Sequence, residues 1–111
     1  LRLLWRLGSF ELEVRQRADR LDAHLHGAVT FVGLPRLTRL LEQLPHAAEL
    51  HLHAGGVSYI DHACLVAIGD FERQRRRAGA RVVVAWPELE ARSEKVRRQT
   101  TADLVAIDGS T

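Results

Sequence analysis

Apolar and polar residues alternate along three stretches of the chain, which is the pattern of β-strands that bury one face. The stretches are FELEVRQ from Phe10, RLDAHLHG from Arg20 and AELHLHA from Ala48. The first two are predicted to form a hairpin with its turn at residues 18–20. A fourth stretch, RVVVAW from Arg81, is apolar without interruption, which predicts a strand covered on both faces.

Between the strands, apolar residues follow helical spacing. One helix is predicted to begin at Pro35 and to end before Pro45. A second is predicted between Asp61, a suitable N-cap, and Gly79, a suitable C′ residue. Gly69, in the middle of this helix, indicates a close approach to the sheet. The apolar stripes of the two helices are Leu37, Leu40, Leu41 and Leu44, and Cys64, Leu65, Ile68 and Phe71.

A third helix is predicted to begin at Pro87, with a thin apolar stripe of Leu89 and Val96. The resulting alternation of strands and helices predicts an α/β fold with parallel pairing across right-handed crossovers. At 111 residues the chain has the length of one domain.

The composition is that of a globular protein, with 46% hydrophobic and 27% charged residues. No apolar run approaches the roughly 18 residues that cross a bilayer. A single cysteine, Cys64, excludes a disulfide within the chain and favours a reducing cytoplasm. The chain contains no Met, even at position 1, so it is expected to be part of a longer product.

The densest run of positive charge is Arg73, Arg75, Arg76 and Arg77. Acidic residues are interleaved just before it, and cations suit the C-terminal end of a helix. The run is therefore predicted to be a solvated helix end, and nucleic acid is not an expected partner.

The stretch from Asp61 to Cys64 brings an acid, an imidazole and a thiol together, as in cysteine hydrolases. On a helix, however, His62 and Cys64 are two positions apart and do not face each other. Cys64 also falls on the apolar stripe, so it is predicted to be a small buried side chain. No catalytic site and no cofactor is expected.

Two pairs of histidines have strand spacing: His24 and His26, and His51 and His53. All four are predicted to point away from the inward-facing leucines, on neighbouring parallel strands. One interpretation is a patch that senses pH or binds a divalent metal, including across a dimer. The alternative is that this face is simply polar, or is covered by the N-terminal segment.

The segments YIDHACLVAI and RRAGARVVV resemble the STAS domain, named for sulfate transporters and anti-sigma factor antagonists. The resemblance extends upstream through AHLHGAVTFVGLPRLTRLLEQLP and covers roughly residues 10–98. It implies a mixed, mostly parallel sheet of about four to five strands, with helices packed mainly on one face.

Anti-sigma factor antagonists carry a phosphorylated Ser after the loop Asp, whereas His62 follows Asp61 here. The loop is more similar to the C-terminal STAS domains of SulP-type transporters of sulfate or bicarbonate. That resemblance implies a non-catalytic regulatory and assembly domain at the cytoplasmic face of the inner membrane. Tyr59, Asp61, His62 and Ala63 would form its partner or regulatory loop. The alternative is a free-standing STAS protein that acts by partner switching without the usual phosphoacceptor.

The same resemblance implies the domain boundaries. Residues 1–9 would be a linker from a preceding membrane domain, residues 10–99 the STAS domain, and residues 100–111 a C-terminal tail. The implied partner is the membrane domain of the same transporter, with a homodimer or another regulatory protein as further expectations.

Overall fold

The computed structural model of the protein describes residues 2–93. Five strands form one sheet in the order β1-β2-β3-β4-β5. The strands are β1 (Arg2–Arg6), β2 (Phe10–Arg17), β3 (Arg20–Val29), β4 (Glu49–Ile60) and β5 (Arg81–Val84). The helices are α1 (Leu34–Gln43), preceded by a 3₁₀ turn at Phe31–Gly33, then α2 (His62–Arg77), and α3 over residues 86–93.

The sheet is mixed, as predicted. β1, β2 and β3 pair antiparallel, whereas β3, β4 and β5 pair parallel, with α1 and α2 as the two crossovers. The predicted turn between β2 and β3 is confirmed at Ala18 and Asp19. The α/β fold class is therefore confirmed.

One face of the sheet carries the core. The alternation in β2, β3 and β4 places leucines such as Leu12, Leu21 and Leu50 inward, where each is almost fully buried. Ile68 of α2 and Leu37 of α1 are buried in the same cluster. The polar positions of these strands lie on the opposite face of the sheet, which we call the open face.

Both ends of α2 have the predicted caps. The Asp61 carboxylate accepts a hydrogen bond from the Cys64 amide at 3.2 Å, as an N-cap side chain does. Gly79, with a φ of +95°, donates to the Arg76 carbonyl, and Ala80 donates to the Arg75 carbonyl. This pair of bonds is the Schellman arrangement, which favours glycine at C′.

Residues 1–9, predicted as a linker, contribute a strand to the sheet. β1 pairs with β2 from Arg2 opposite Arg15 to Arg6 opposite Glu11. Trp5 packs against the core and Leu7 is buried, so the short alternation in this segment does bury one face. The linker prediction is wrong for residues 2–6.

The strand at Arg81 lies at the edge of the sheet and is not covered on both faces, contrary to the prediction. Val82 and Val84 are buried, but Val83 is 47% exposed because it points to the open face. The predicted close approach of Gly69 to the sheet is also wrong, because the open side of Gly69 faces Arg73 and Trp86. α3 begins one residue before the predicted Pro87 and buries Leu89. Val96, the boundary at residue 99 and the tail at 100–111 lie outside the described residues.

The predicted solvated run of arginines is wrong for one member. Arg75 is buried, and its guanidinium donates to the carbonyls of Leu44 at 2.6 Å and Pro45 at 2.9 Å. It thereby satisfies carbonyl groups that the end of α1 leaves without helical partners. The Arg75 side chain also lies over the Phe71 ring, 5.3 Å from its centroid. Arg75 therefore locks α2 to the end of α1.

Candidate functional site

The predicted regulatory loop lies where β3 and β4 end side by side. Val29 pairs with Ile60 as the last residues of the two parallel strands. The Asp61 amide donates to the Val29 carbonyl at 3.1 Å, so the β4–α2 connection lies directly against the β3–α1 connection. Carboxyl ends of parallel strands are the usual position of binding loops in such sheets.

Asp61 holds the two connections together. One carboxylate oxygen caps α2, and the other accepts a 2.6 Å hydrogen bond from the Phe31 amide. Sequence reasoning predicted the cap, but it missed the bond to Phe31 because the two residues are 30 positions apart. Both oxygens of Asp61 are engaged by backbone amides, so this residue shapes the loop.

The other predicted loop residues differ in accessibility. Tyr59 is half-buried in β4, opposite Ala28, whereas His62 and Ala63 are exposed on the first turn of α2. His62 and Ala63 are therefore the members of the predicted set that are open to a partner.

Exposed apolar side chains next to this loop were missed by the sequence analysis. Phe31 is 67% exposed and Val32 is 78% exposed, on the 3₁₀ turn that Asp61 holds. Val66, one turn after His62 on α2, is 49% exposed. We call Phe31, Val32 and Val66 the apolar rim. Exposed apolar side chains indicate a contact surface where they are contiguous, and Phe31 and Val32 are adjacent in the chain.

A groove of about 580 Å³ extends the accessible face of α2 towards α3. His62, Leu65, Val66, Gly69 and Trp86 are among its lining residues. The Trp86 indole donates to the Glu72 carboxylate at 3.2 Å, which fixes the ring at the side of the groove.

Cys64 is buried, as predicted. Burial, together with the adjacent Asp61 carboxylate, raises the pKa of its thiol to about 12. Because the thiolate is the nucleophilic form, this environment opposes cysteine chemistry. His62 is exposed on the helix surface, away from the buried sulfur.

The four predicted histidines do lie together on the open face. His24 and His53 are opposite each other in the β3–β4 register, and their rings stack with centroids 4.4 Å apart and planes 10° apart. His26 continues the row beyond His24 at 6.3 Å, and His51 continues it beyond His53 at 6.2 Å. We call this row the histidine ladder.

The two histidines of β4 each form a hydrogen bond with a carboxylate. His53 hydrogen-bonds to Asp22 at 2.9 Å, and His51 hydrogen-bonds to Glu49 at 3.1 Å. Burial alone would raise the pKa of Asp22, but the bonds to His53 and Arg20 lower it to about 2. The pKa of His24 is lowered by partial burial and by the neighbouring His53, and the carboxylates of Glu13 and Asp22 only partly oppose this.

The ladder does not have the geometry of a metal site. Among residues 2–93, no three His, Cys, Asp or Glu side chains are placed to hold one ion. The rings stack face to face, whereas metal ligands point their donor atoms at a common centre. The metal interpretation gains no support, whereas the pH interpretation and the alternative of a simply polar or covered face both stay predictions.

No protein-family model and no curated protein matches this chain. Solved structures with a similar fold include a crystal structure of Mglu, with a TM-score of 0.59 and 27% identity over 65% of this chain and 18% of that one. Mglu in its native form has a TM-score of 0.59 and 23% identity, over 64% of this chain and 21% of that one.

A third similar structure is Mglu in its L-glutamate binding form in the presence of 4.3 M NaCl. It has a TM-score of 0.58 and 18% identity, over 64% of this chain and 25% of that one. The chain therefore spans a quarter or less of these Mglu chains, which means that this fold occurs there as one part of a longer protein.

Proposed function

We propose that this chain is a non-catalytic regulatory and assembly domain of the STAS type. The observation that carries the proposal is the Asp61 carboxylate, which joins two loops into one rigid surface beside the exposed apolar rim. A loop held on a rigid scaffold suits recognition of a partner. The buried thiol of Cys64, with its raised pKa, argues against the only cysteine as a nucleophile.

We further propose that the domain belongs to the cytoplasmic part of a SulP-type transporter of sulfate or bicarbonate. The support is the resemblance of the loop and of its flanking segments, in which His62 takes the place of a phosphoacceptor. Under this proposal the transport pathway itself would belong to another part of the product. In residues 2–93, no helix is long and apolar enough to cross a bilayer.

A second candidate is the same kind of domain within a longer protein that is not a transporter. The observation that favours it is the similarity to a crystal structure of Mglu, in which this fold covers 18% of a longer chain. A third candidate, from the same resemblance, is a free-standing partner-switching protein.

The size and the location of the native product separate these three candidates. An antibody against this domain should detect, in fractionated source cells, a much larger product that only detergent releases from membranes. A large product in the soluble fraction would favour the second candidate, and one no larger than the domain would favour the third. In the first case, loss of sulfate or bicarbonate uptake on changing Phe31 and Val32 to Ser would link the apolar rim to regulation.

A further inference from the structure

The histidine ladder places ionisable groups where their charges must interact. His24 and His53 stack 4.4 Å apart, which is closer than either of the other ring pairs. Two imidazolium charges at that separation repel each other strongly unless a carboxylate neutralises them. The availability of a carboxylate therefore decides how the pair responds to acid.

His53 has such a carboxylate, whereas the Glu13 carboxylate on the strand opposite His24 is already engaged. His53 bonds to Asp22 at 2.9 Å. Glu13, which lies opposite His24 on β2, is paired with Arg2 and Arg15, each at 2.9 Å. A proton on His24 would thus face the His53 ring on one side and, on the other, a Glu13 carboxylate that is already bonded to two arginines.

Every strand around the pair contributes charge to this part of the open face. The groups concerned are Arg2 and Arg6 of β1, Glu11, Glu13, Arg15 and Arg17 of β2, Arg20 and Asp22 of β3, Glu49 of β4 and Arg81 of β5. The carboxylates of Glu13 and Asp22 are only 14% and 19% exposed, whereas Arg2 is 64% exposed. Protonation of a histidine at low pH therefore adds positive charge to a face on which Glu13 and Asp22 are already paired with other groups.

We propose that the histidine ladder is a proton-responsive switch on the open face. The stack of His24 and His53 is closed while His24 is neutral, and it opens when both imidazoles are charged. Acidification then separates the two rings and adds positive charge along the seam between β3 and β4. The switch requires only the histidine ladder, whatever protein carries the domain.

The first measurement is an NMR titration of the imidazole protons in the 111-residue chain. We expect His24 to titrate at a lower pH in the folded protein than in the urea-unfolded chain. We also expect nuclear Overhauser contacts between the His24 and His53 rings to disappear with the same midpoint. A midpoint equal to that of the unfolded chain, or contacts that persist after His24 is charged, would overturn the proposal.

Three variants make the test directional. His53→Gln removes the opposing charge and uncovers His24, so its midpoint should rise. Glu13→Gln removes a favourable charge, so the midpoint should fall. His51→Gln is the control, because the rings of His51 and His53 are 6.2 Å apart and His51 is not stacked on His24; it should leave the His24 midpoint unchanged. Shifts of the wrong sign in the first two variants would exclude the switch.

Stability provides a second, independent test if acid unfolds the chain before His24 titrates. A histidine whose pKa is lowered by folding makes the unfolded state bind more protons, so stability falls as the pH drops below about 6.5. Urea unfolding at pH 7 and pH 5.5 should therefore show a smaller acid-induced loss in His24→Gln than in the wild type. Equal losses in the two proteins would contradict the proposal.

Discussion

The backbone amide of Phe31 donates a 2.6 Å hydrogen bond to the carboxylate of Asp61, across 30 positions of sequence. The same carboxylate caps α2 through the Cys64 amide. One side chain thus fixes the start of a helix and the loop that carries the exposed Phe31 ring. Any partner that binds the apolar rim meets a surface whose shape depends on Asp61.

Replacing Asp61 should therefore destabilise the domain. We expect Asp61→Ala to lower the free energy of unfolding by about 1–2 kcal/mol, the upper part of the range for a lost N-cap, because the Phe31 bond is lost as well. Urea denaturation monitored by circular dichroism measures this. His62→Ala is the control and should stay within about 0.5 kcal/mol of the wild type, because His62 is exposed. An unchanged midpoint for Asp61→Ala would refute the capping role.

Arg75 and Arg77 belong to the same helix and the same charged run, yet they should respond differently to truncation. Arg75→Ala removes the donor for the Leu44 and Pro45 carbonyls and should cost about 1–3 kcal/mol. Arg77→Ala removes an exposed side chain and should change stability little. Thermal unfolding of the two variants, measured side by side, makes the comparison. Equal losses would mean that burial of Arg75 contributes nothing specific.

Gly69 is a position where a substitution should stabilise the fold. A Cβ atom there would lie 3.6 Å from Arg73 and 3.7 Å from Trp86, which is ordinary van der Waals contact. Gly69→Ala should therefore add up to about 1 kcal/mol of helix stability. Gly27→Ala is the opposite case, since Gly27 has a φ of +94° and its Cβ would meet the Ser9 carbonyl at 2.6 Å. Denaturation midpoints should move in opposite directions, and a loss of stability in Gly69→Ala would be the contrary result.

Asp22 should shape the acid limb of the stability curve. Its pKa is lowered from 3.8 to about 2, so its contribution is present above pH 3.8 and is lost as the pH falls towards 2. Wild-type stability should therefore decline more steeply than that of Asp22→Asn between pH 4 and pH 2. Urea unfolding at several pH values in this range tests it. If the stability of the wild type and that of Asp22→Asn fell in parallel over this range, the bonds of Asp22 to Arg20 and His53 would not lower its pKa.

The loop should not accept phosphate from a kinase of the anti-sigma type. Positions 61–64 carry no hydroxyl group, because the residues are Asp, His, Ala and Cys. Intact mass after incubation with such a kinase and ATP should show no added phosphate. His62→Ser restores a hydroxyl next to Asp61 and serves as the positive control. Stoichiometric phosphate on Ser58, which is exposed on β4, would instead favour partner switching.

Local patterns were sufficient for much of the fold. The period of two in β2, β3 and β4 fixed which side chains face the core, so the common face of the four histidines was predicted correctly. Capping chemistry located both ends of α2, because Asp61 and Gly79 satisfy backbone groups within a few residues of themselves. In each case the determining interactions are local.

Pairings between distant segments decided the rest. β1 forms a strand because its backbone pairs with the free edge of β2. β5 lies at the edge because it is the last strand in the order of the sheet. Arg75 lies on the apolar stripe of α2, but its charge led to the prediction that it is exposed to solvent. Its burial is possible because the end of α1 places carbonyl groups beside the guanidinium. The stacking of His24 on His53 likewise depends on the register between β3 and β4. Alternation along one strand determines which face of the sheet a side chain lies on. Which residue lies beside it on the next strand is determined by the pairing and register of the two strands, which depend on the tertiary fold.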